Sequence, residues 1–502
     1  MKWSVHNKNV FCSKGYGSAM GLIKFFVGAL GIFAGIPGAV GGGSPNYSKS
    51  PPDYSQALKN SLLFYKAQRS GKLPDNDVPW RHDAFVNLKT KEGVDVSGGF
   101  FDAGDTVKFN LPQAVTITSL ATGVLYFEDG YKKAGVNALE DAIGIIKWGA
   151  DYLANCVVVN SLGRRLKGTN DTKIIAQVGS GELDHVQWKR PDEIDPSTIV
   201  IYELDSSKPG SDLAGAIAAA LSSAAIVMQK AGDTKRAEVY LAKAKKALEF
   251  GIAYKGFYSN SVPDAAKFYK SSSFYDDLAE GAVWLFKATN EKENLKLAEE
   301  MFEEHLTKES GEGKWPSNDW DNRVWAVAVM LNEISPNEKY TKLYDKFCGE
   351  WNHAGNGGGA VKKTPDGFGW LDYWGVTRHN GNAIFLIALG KNADFNFIKR
   401  QVNYMLGEND MGQSYMVGYG SKFPRYPHHR GSSCPQPPEK CGWEFYQSTV
   451  PNPNILIGGL VSGPTLDGTY MDKRDNYVQN EVAIDYSYGL TGVLAAILQN
   501  NL

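Results

Sequence analysis

Residues 211–253 read SDLAGAIAAALSSAAIVMQKAGDTKRAEVYLAKAKKALEFGIA. Two helical stretches, 211–231 and 234–253, are parted only by Gly232-Asp233. A link that short forces antiparallel neighbours, so the two form a helical hairpin. The pattern recurs across Asn290-Glu291 and again across Ser335-Pro336, before Asn337. Elsewhere the period is equally helical: Leu139, Ile143, Ile146, Ala150 and Leu153 recur at steps of four, three, four and three. Asp53 with Gln56 has the form of a capping box opening the first helix.

Working outward gives twelve helices, at 54–69, 113–128, 137–156, 211–231, 234–253, 276–289, 292–306, 319–333, 337–352, 377–390, 394–406 and 481–500. Alternating strand pattern is almost absent. Six hairpins around a closed ring make a double-layered, all-α barrel. Such a barrel lets one domain run to about 450 residues, although a length of 502 alone suggests two to four domains. No Ser/Thr/Pro-rich linker divides the chain. Five long loops remain, 71–112, 157–210, 254–275, 353–376 and 407–480. In a helical barrel they gather at helix ends, where loops carry function.

The balance of 53 basic and 55 acidic residues leaves a net charge of −2. No overall basic field would hold the chain on nucleic acid or an anionic membrane, and no protein partner is implied. Sixty aromatic residues (12 Trp, 25 Tyr, 23 Phe) and 54 glycines point to a cleft for something flat and uncharged.

Residues 1–45 read as a targeting segment. Lys2, Lys8 and Lys14 precede an apolar stretch from Phe25 to Val40, followed by small residues. Sixteen apolar residues interrupted by Pro37 are short for a membrane span of about 20. A secretory signal is the first reading, and an uncleaved anchor over residues 21–40 is the alternative. Cys156 and Cys348 fall in helical segments as small hydrophobes. Cys434 and Cys441 bracket a proline-rich loop that one disulfide could close.

Three loop motifs carry chemistry. Asp102 and Asp105 lie three apart in Ser97-Gly98-Gly99-Phe100-Phe101-Asp102-Ala103-Gly104-Asp105, where glycines let both carboxylates reach one water or one metal. The plain alternative is an Asp-Gly turn with solvated carboxylates. Tyr470, Asp472, Arg474, Asp475 and Tyr477 precede Glu481 at the last helix. A glutamate there is usually a dipole partner, but among aromatics it can be a general acid. Pro424-Arg425-Tyr426-Pro427-His428-His429-Arg430 supplies donors for hydroxyls, while its histidines lack the spacing of a metal site. Together these suit hydrolysis of an uncharged polymer by an acid–base carboxylate pair.

The same residues resemble glycoside hydrolase family 9 over roughly 50–502. The resemblance rests on Tyr54-Ser55-Gln56-Ala57-Leu58 and Gln68-Arg69-Ser70-Gly71-Lys72-Leu73-Pro74. It continues in Gly98 to Asp105, in Ser414-Tyr415-Met416-Val417-Gly418-Tyr419-Gly420 to Arg430, and in Tyr470 to Ala483. It implies an (α/α)6 barrel and an inverting endo-β-1,4-glucanase, a cellulase. Asp105 is then the general base, Asp102 helps hold the water, Glu481 is the general acid, and Asp472 supports the acid loop. His428 and Arg430 bind sugar hydroxyls near the cleavage point. His185, Trp188, Trp374, Arg378 and Tyr470 also fall in substrate-contacting motifs. The acid is expected in a drier place than the base.

The chemistry requires no cofactor. Ser272, Ser273, Asp276 and Asp277, with Asp321 at a distance, resemble the family's structural calcium segment, although plain helix N-terminal charges explain Asp276 and Asp277 equally. The loop Cys434–Cys441 followed by Gly442-Trp443 resembles animal-type members. Ser180, Ala216, Ser487 and Tyr488 depart from the family pattern. Two other readings are a catalytically silent glycan-binding protein on the same scaffold and a membrane-anchored cell-wall glucanase.

Overall fold

The computed structural model describes residues 51–74, 78–159, 172–309, 315–355 and 359–502. Residues 1–45 lie outside them. Residues 52–502 form one compact unit. Among the described residues twelve helices run eleven residues or longer: α1 (Tyr54–Ala67), α2 (Asn110–Tyr126), α3 (Ala138–Cys156), α4 (Ser211–Lys230), α5 (Thr234–Ala253), α6 (Tyr275–Thr289), α7 (Lys292–Glu304), α8 (Val324–Ile334), α9 (Glu338–Asn352), α10 (Val376–Leu389), α11 (Phe395–Met405) and α12 (Ile484–Gln499). All twelve expected helices are present.

The even-numbered helices form the inner ring, in the order α2, α4, α6, α8, α10, α12 and back to α2. Each odd-numbered helix packs outside an even one. This is an (α/α)6 barrel. Burial explains the alternation. Seventeen of the 20 residues of α4 are buried, against seven of 20 in α5. A helix apolar all round belongs inside, and one with a single apolar stripe belongs outside. Five pairs are hairpin neighbours along the chain. The sixth differs from expectation, since α1 packs on α12 and the two ends of the chain close the ring.

The quoted hairpin turns as its residues require. Gly232 adopts φ +84°, and its N–H and that of Asp233 donate to Gln229 and Met228 carbonyls. The Asp233 carboxylate then accepts from Arg236 N–H and opens α5. Short links of this kind join inner to outer helices in four of the pairs, while a longer segment with a short helix, Glu128–Lys133, joins α2 to α3. The long connections run from outer to inner helices, so all of them gather around the N-terminal ends of the inner ring.

Three differences from the sequence expectation bear on the site. A small antiparallel sheet joins the 71–112 and 157–210 loops: β1 (Lys108–Phe109), β2 (Val157–Val159) and β4 (Ile201–Leu204) all pair with β3 (Thr172–Val178). β3 is buried almost throughout, so its sequence shows a continuous apolar run rather than alternation. Helix α8 starts at 324 rather than 319, because the Asp276 carboxylate accepts from Arg323 N–H at 2.7 Å. Helix α12 starts at 484 rather than 481, which leaves Glu481 in extended backbone.

Helices α4 and α6 approach too closely for any side chain at one point. A Cβ at Gly215 would lie 2.5 Å from the Asp277 carbonyl carbon. Glycine is therefore a packing requirement of the ring.

Candidate active site

The two carboxylate motifs and the histidine motif meet at the mouth of the barrel through backbone hydrogen bonds. Ile484 N–H donates to Asp102 O, Arg430 N–H to Gly104 O, and His428 N–H to Asn480 O, at 2.9, 3.0 and 2.9 Å. A residue with a side chain could not stand at 104, since its Cβ would lie 2.2 Å from the His428 carbonyl oxygen. On its other flank Glu481 is held by Ser462, whose N–H donates to Glu481 O at 3.0 Å.

Asp105 is nearly enclosed. Its Oδ2 lies 3.0 Å from His185 Nε2. Burial works to raise its pKa, but the hydrogen bond and charge of His185, with the Arg430 guanidinium, win and hold the carboxyl below the usual range. Asp102 is the opposite case. Burial and the neighbouring Asp105 charge raise it well above the carboxylate range, despite a hydrogen bond from Tyr269 Oη to its Oδ2. One carboxyl of the pair is thus charged and the other neutral, as two close carboxylates require. Oδ1 of each is buried and finds no partner among the described residues.

Glu481 accepts from Trp374 Nε1 at 2.7 Å and Tyr486 Oη at 3.0 Å. Burial raises its pKa, those donors partly oppose it, and the Asp105 charge adds to the rise, which brings it to about 6. Exposure class does not rank the acid against the base, since Glu481 and Asp105 are both partly exposed. Their partners separate them, cationic for the base and neutral for the acid.

His428 donates from Nδ1 to Arg474 O at 2.8 Å, a direction set because a carbonyl can only accept. Its burial pushes the pKa down to about 4, so the ring is neutral and Nε2 is an acceptor. His428 is therefore suited to receive a hydrogen bond from a sugar hydroxyl rather than to give one. Asp472 receives Arg425 N–H at 2.6 Å and Tyr426 N–H at 3.1 Å, which ties the acid segment to the histidine segment.

Three residues expected to touch sugar are largely buried against partners. Trp188 is 3% exposed, with Nε1 on Ser433 Oγ at 3.0 Å and its ring behind His428. Tyr470 is 9% exposed, with its hydroxyl on Asn480. Arg430 is 4% exposed and ion-paired with Asp184. Each supports the site from behind, through packing or charge. Trp374 is half-buried beside the acid. Arg378 lies over the Tyr486 ring and binds Asp485 Oδ2 at 3.1 Å.

Sequence reasoning missed Tyr269, Tyr486 and Asp184 as partners, and Gln68 as a clamp. Gln68 Nε2 donates to Phe101 O and Ala103 O, while its Oε1 lies 2.9 Å from His429 Nε2. Tyr486, five residues after Glu481 on the first turn of α12, carried the one local signal. Ser180, a departure from the family pattern, is served by Asp264. Its carboxylate accepts from Ser180 Oγ, Gly181 N–H and Gln177 Nε2, and fixes the turn that delivers His185.

The disulfide is formed between Cys434 and Cys441, with Cα atoms 5.4 Å apart. The Arg190 guanidinium holds its loop through Pro435 O and Glu439 O. The calcium-like residues divide into two pairs. Asp321 accepts from Ser272 N–H and Oγ at 2.6 and 2.8 Å. Asp276 accepts from Ser273 Oγ and from Arg323 N–H. Asp277 Oδ1 is buried without a partner among the described residues. Burial and Asp319 push Asp321 up to about 8. Hydroxyls, carboxylates and one orphaned carboxylate oxygen are a donor set of the right type for a hard cation.

Residues 54–494 match the family model described as Glycosyl hydrolase family 9. An endoglucanase of Dictyostelium discoideum is 34% identical over 455 residues, covering 89% of this chain, and this chain spans 61% of that protein. The structure of an endoglucanase from the termite Nasutitermes takasagoensis superposes with a TM-score of 0.81 at 39% identity, covering 90% of this chain and 99% of that one. The cellulase Cel9M of C. cellulolyticum, solved in complex with cellobiose, gives 0.77 at 29% identity, over 89% of this chain and 99% of that one. The chain belongs to glycoside hydrolase family 9.

Proposed function

We propose that this chain is an endo-β-1,4-glucanase that cleaves internal glucosidic bonds with inversion. One observation carries the reading: Glu481, whose pKa is raised to about 6, and Asp105, whose carboxyl is held below the usual range, stand on loops locked to each other by backbone bonds. The relatives named as endoglucanases and the cellobiose complex of Cel9M support a β-glucan substrate.

A water held at Asp102 and Asp105 attacks the anomeric carbon while Asp105 takes one of its protons. Asp102 stays neutral and does not compete for that proton. Glu481 gives its proton to the glycosidic oxygen as the C–O bond breaks, so the leaving sugar departs as a free hydroxyl. Asp105 then releases its proton to solvent and Glu481 regains one. Half-buried Trp374 offers a ring face to the sugar while it positions the acid.

Glu481→Gln and Asp105→Asn should each lower kcat on carboxymethylcellulose by roughly 10²–10⁴-fold. Binding of cellotetraose, read by calorimetry, should survive both changes. Retention of full rate by either variant would remove that residue from its role.

The Trp374 N–H stabilises the charged form of Glu481 and so lowers its pKa. Activity needs Glu481 protonated, so the rate falls as pH rises through about 6. Trp374→Phe deletes the donor, and the alkaline limb of kcat should move to higher pH. A limb that stays in place or moves down contradicts the assignment.

Calcium at Ser272, Ser273, Asp276, Asp277 and Asp321 would tie the segment opening α6 to the segment before α8 and supply structure only. A ligand at a hundredfold excess over Kd stabilises by about 2.7 kcal/mol. Chelation with EGTA should lower the thermal midpoint, calcium should restore it, and kcat at 25 °C should not change. A midpoint indifferent to both would exclude the site.

A further inference from the structure

Lys108 in β1 is fully buried and has no role in the acid–base chemistry above. Its Nζ donates to Val96 O, to Gly98 O at 2.9 Å and, more weakly, to Ser97 O at 3.5 Å. The ammonium lies over the Tyr152 ring, 4.6 Å from its centroid, and 5.8 Å from that of Phe85. No carboxylate is ion-paired with it among the described residues. Burying an unpaired charge is costly unless every proton is used. Here all three go to one short stretch of backbone.

That stretch starts the base loop. Gly99 follows at φ +78°, so close to α3 that a Cβ would lie 2.6 Å from the Tyr152 ring. Phe100 N–H then donates to Gln113 Oε1 at 2.6 Å, and Phe101 N–H to Gln68 O at 2.8 Å. Two residues later the chain has delivered Asp102 and Ala103, and then Asp105. The loop beyond Gly99 is therefore hung from amides and side chains; before it, Ser70 Oγ donates to Ser97 O at 2.7 Å and Val96 N–H to Leu88 O at 2.9 Å, and the ammonium is the side chain that holds Val96 O and Gly98 O.

We propose that Lys108 is a positioning residue of the reaction: its buried ammonium fixes the Val96–Gly98 carbonyls and through them the placement of Asp102 and Asp105, and turnover requires it protonated. This rests on the glucanase reading. A neutral amine has two hydrogens and a lone pair, so loss of the proton must release one carbonyl and turn a lone pair toward it.

The environment makes that loss accessible. Burial drives the Lys108 pKa down to about 7, against weaker upward pulls from Cys156 and Asp95. Cys156 on α3 is a buried thiol pushed up to about 12, so it stays neutral. Tyr152, also on α3, is raised by burial and neutral as well. Lys243 of α5 faces Cys156 and donates to Val157 O at 2.6 Å. Asp95 is exposed and screened.

The test separates this limb from that of Glu481. Full-length Glu481→Gln is assayed from pH 5 to 9 on 2,4-dinitrophenyl β-cellobioside, whose leaving group needs no proton. The expected kcat falls reversibly above about pH 7. In Glu481→Gln/Lys108→Met the limb disappears, and kcat at pH 6 is roughly ten- to a hundredfold lower with KM unchanged. Lys108→Gln, read by the same two outcomes, serves if the methionine variant does not melt cooperatively. A limb that persists without Lys108 belongs to His185 and overturns the proposal, as does a kcat at pH 6 within twofold of the parent. Absence of any cleavage by the wild-type chain would instead sink the glucanase reading.

Discussion

The close approach at Gly104 is the constraint on which the site depends. Only the absence of a side chain lets the base loop touch the His428–His429 backbone, and that contact allows Arg430 N–H to reach Gly104 O. Two further bonds, Ile484 to Asp102 and His428 to Asn480, complete the connection among base loop, histidine segment and acid segment. Segments more than 300 residues apart in sequence thereby hold one geometry without relying on flexible side chains. The barrel makes this possible, because every long loop emerges at the same ends of the inner helices.

On that frame the protein separates two carboxylates by their neighbours rather than by depth. Asp105 has His185 and, beyond it, Arg430, so its charged form is favoured even where water is scarce. Glu481 has an indole N–H and a phenol, which orient it without adding charge, and burial keeps its proton near pH 6. Asp102 gives up its charge to Asp105, its neighbour. Each state follows from the sign and number of the groups in contact. The buried Arg430–Asp184 pair shows how that charge is maintained. Its cation is itself fixed by a carboxylate, and so remains available to the base without being open to solvent.

Much of the fold could be read in the sequence because turns and periods are local. Gly232-Asp233 and Asn290-Glu291 specify hairpins by themselves, whereas which helix of each pair is inner became plain only from burial in the structure. The sheet was not legible, since Ile174, Ile175 and Ala176 form an unbroken buried run that period alone cannot assign. At the site, residue type was readable and direction was not. Trp188, Tyr470 and Arg430 have the chemistry of sugar contacts, yet each is buried against a partner: Trp188 and Arg430 against the distant His428 and Asp184, Tyr470 against Asn480 ten residues on. Tyr269 and Lys108 show the converse. Nothing near them in sequence announces that their polar ends reach the base or its loop.

The central claim is that Asp105 activates a water while Glu481 protonates the leaving oxygen, in one displacement. Proton NMR of freshly released sugar, recorded within minutes of adding enzyme to cellopentaose, tests it most directly. The account predicts that the new reducing ends appear first as the α-anomer and then equilibrate. The β-anomer appearing first would mean retention through a covalent intermediate, and would contradict the roles assigned to both carboxylates.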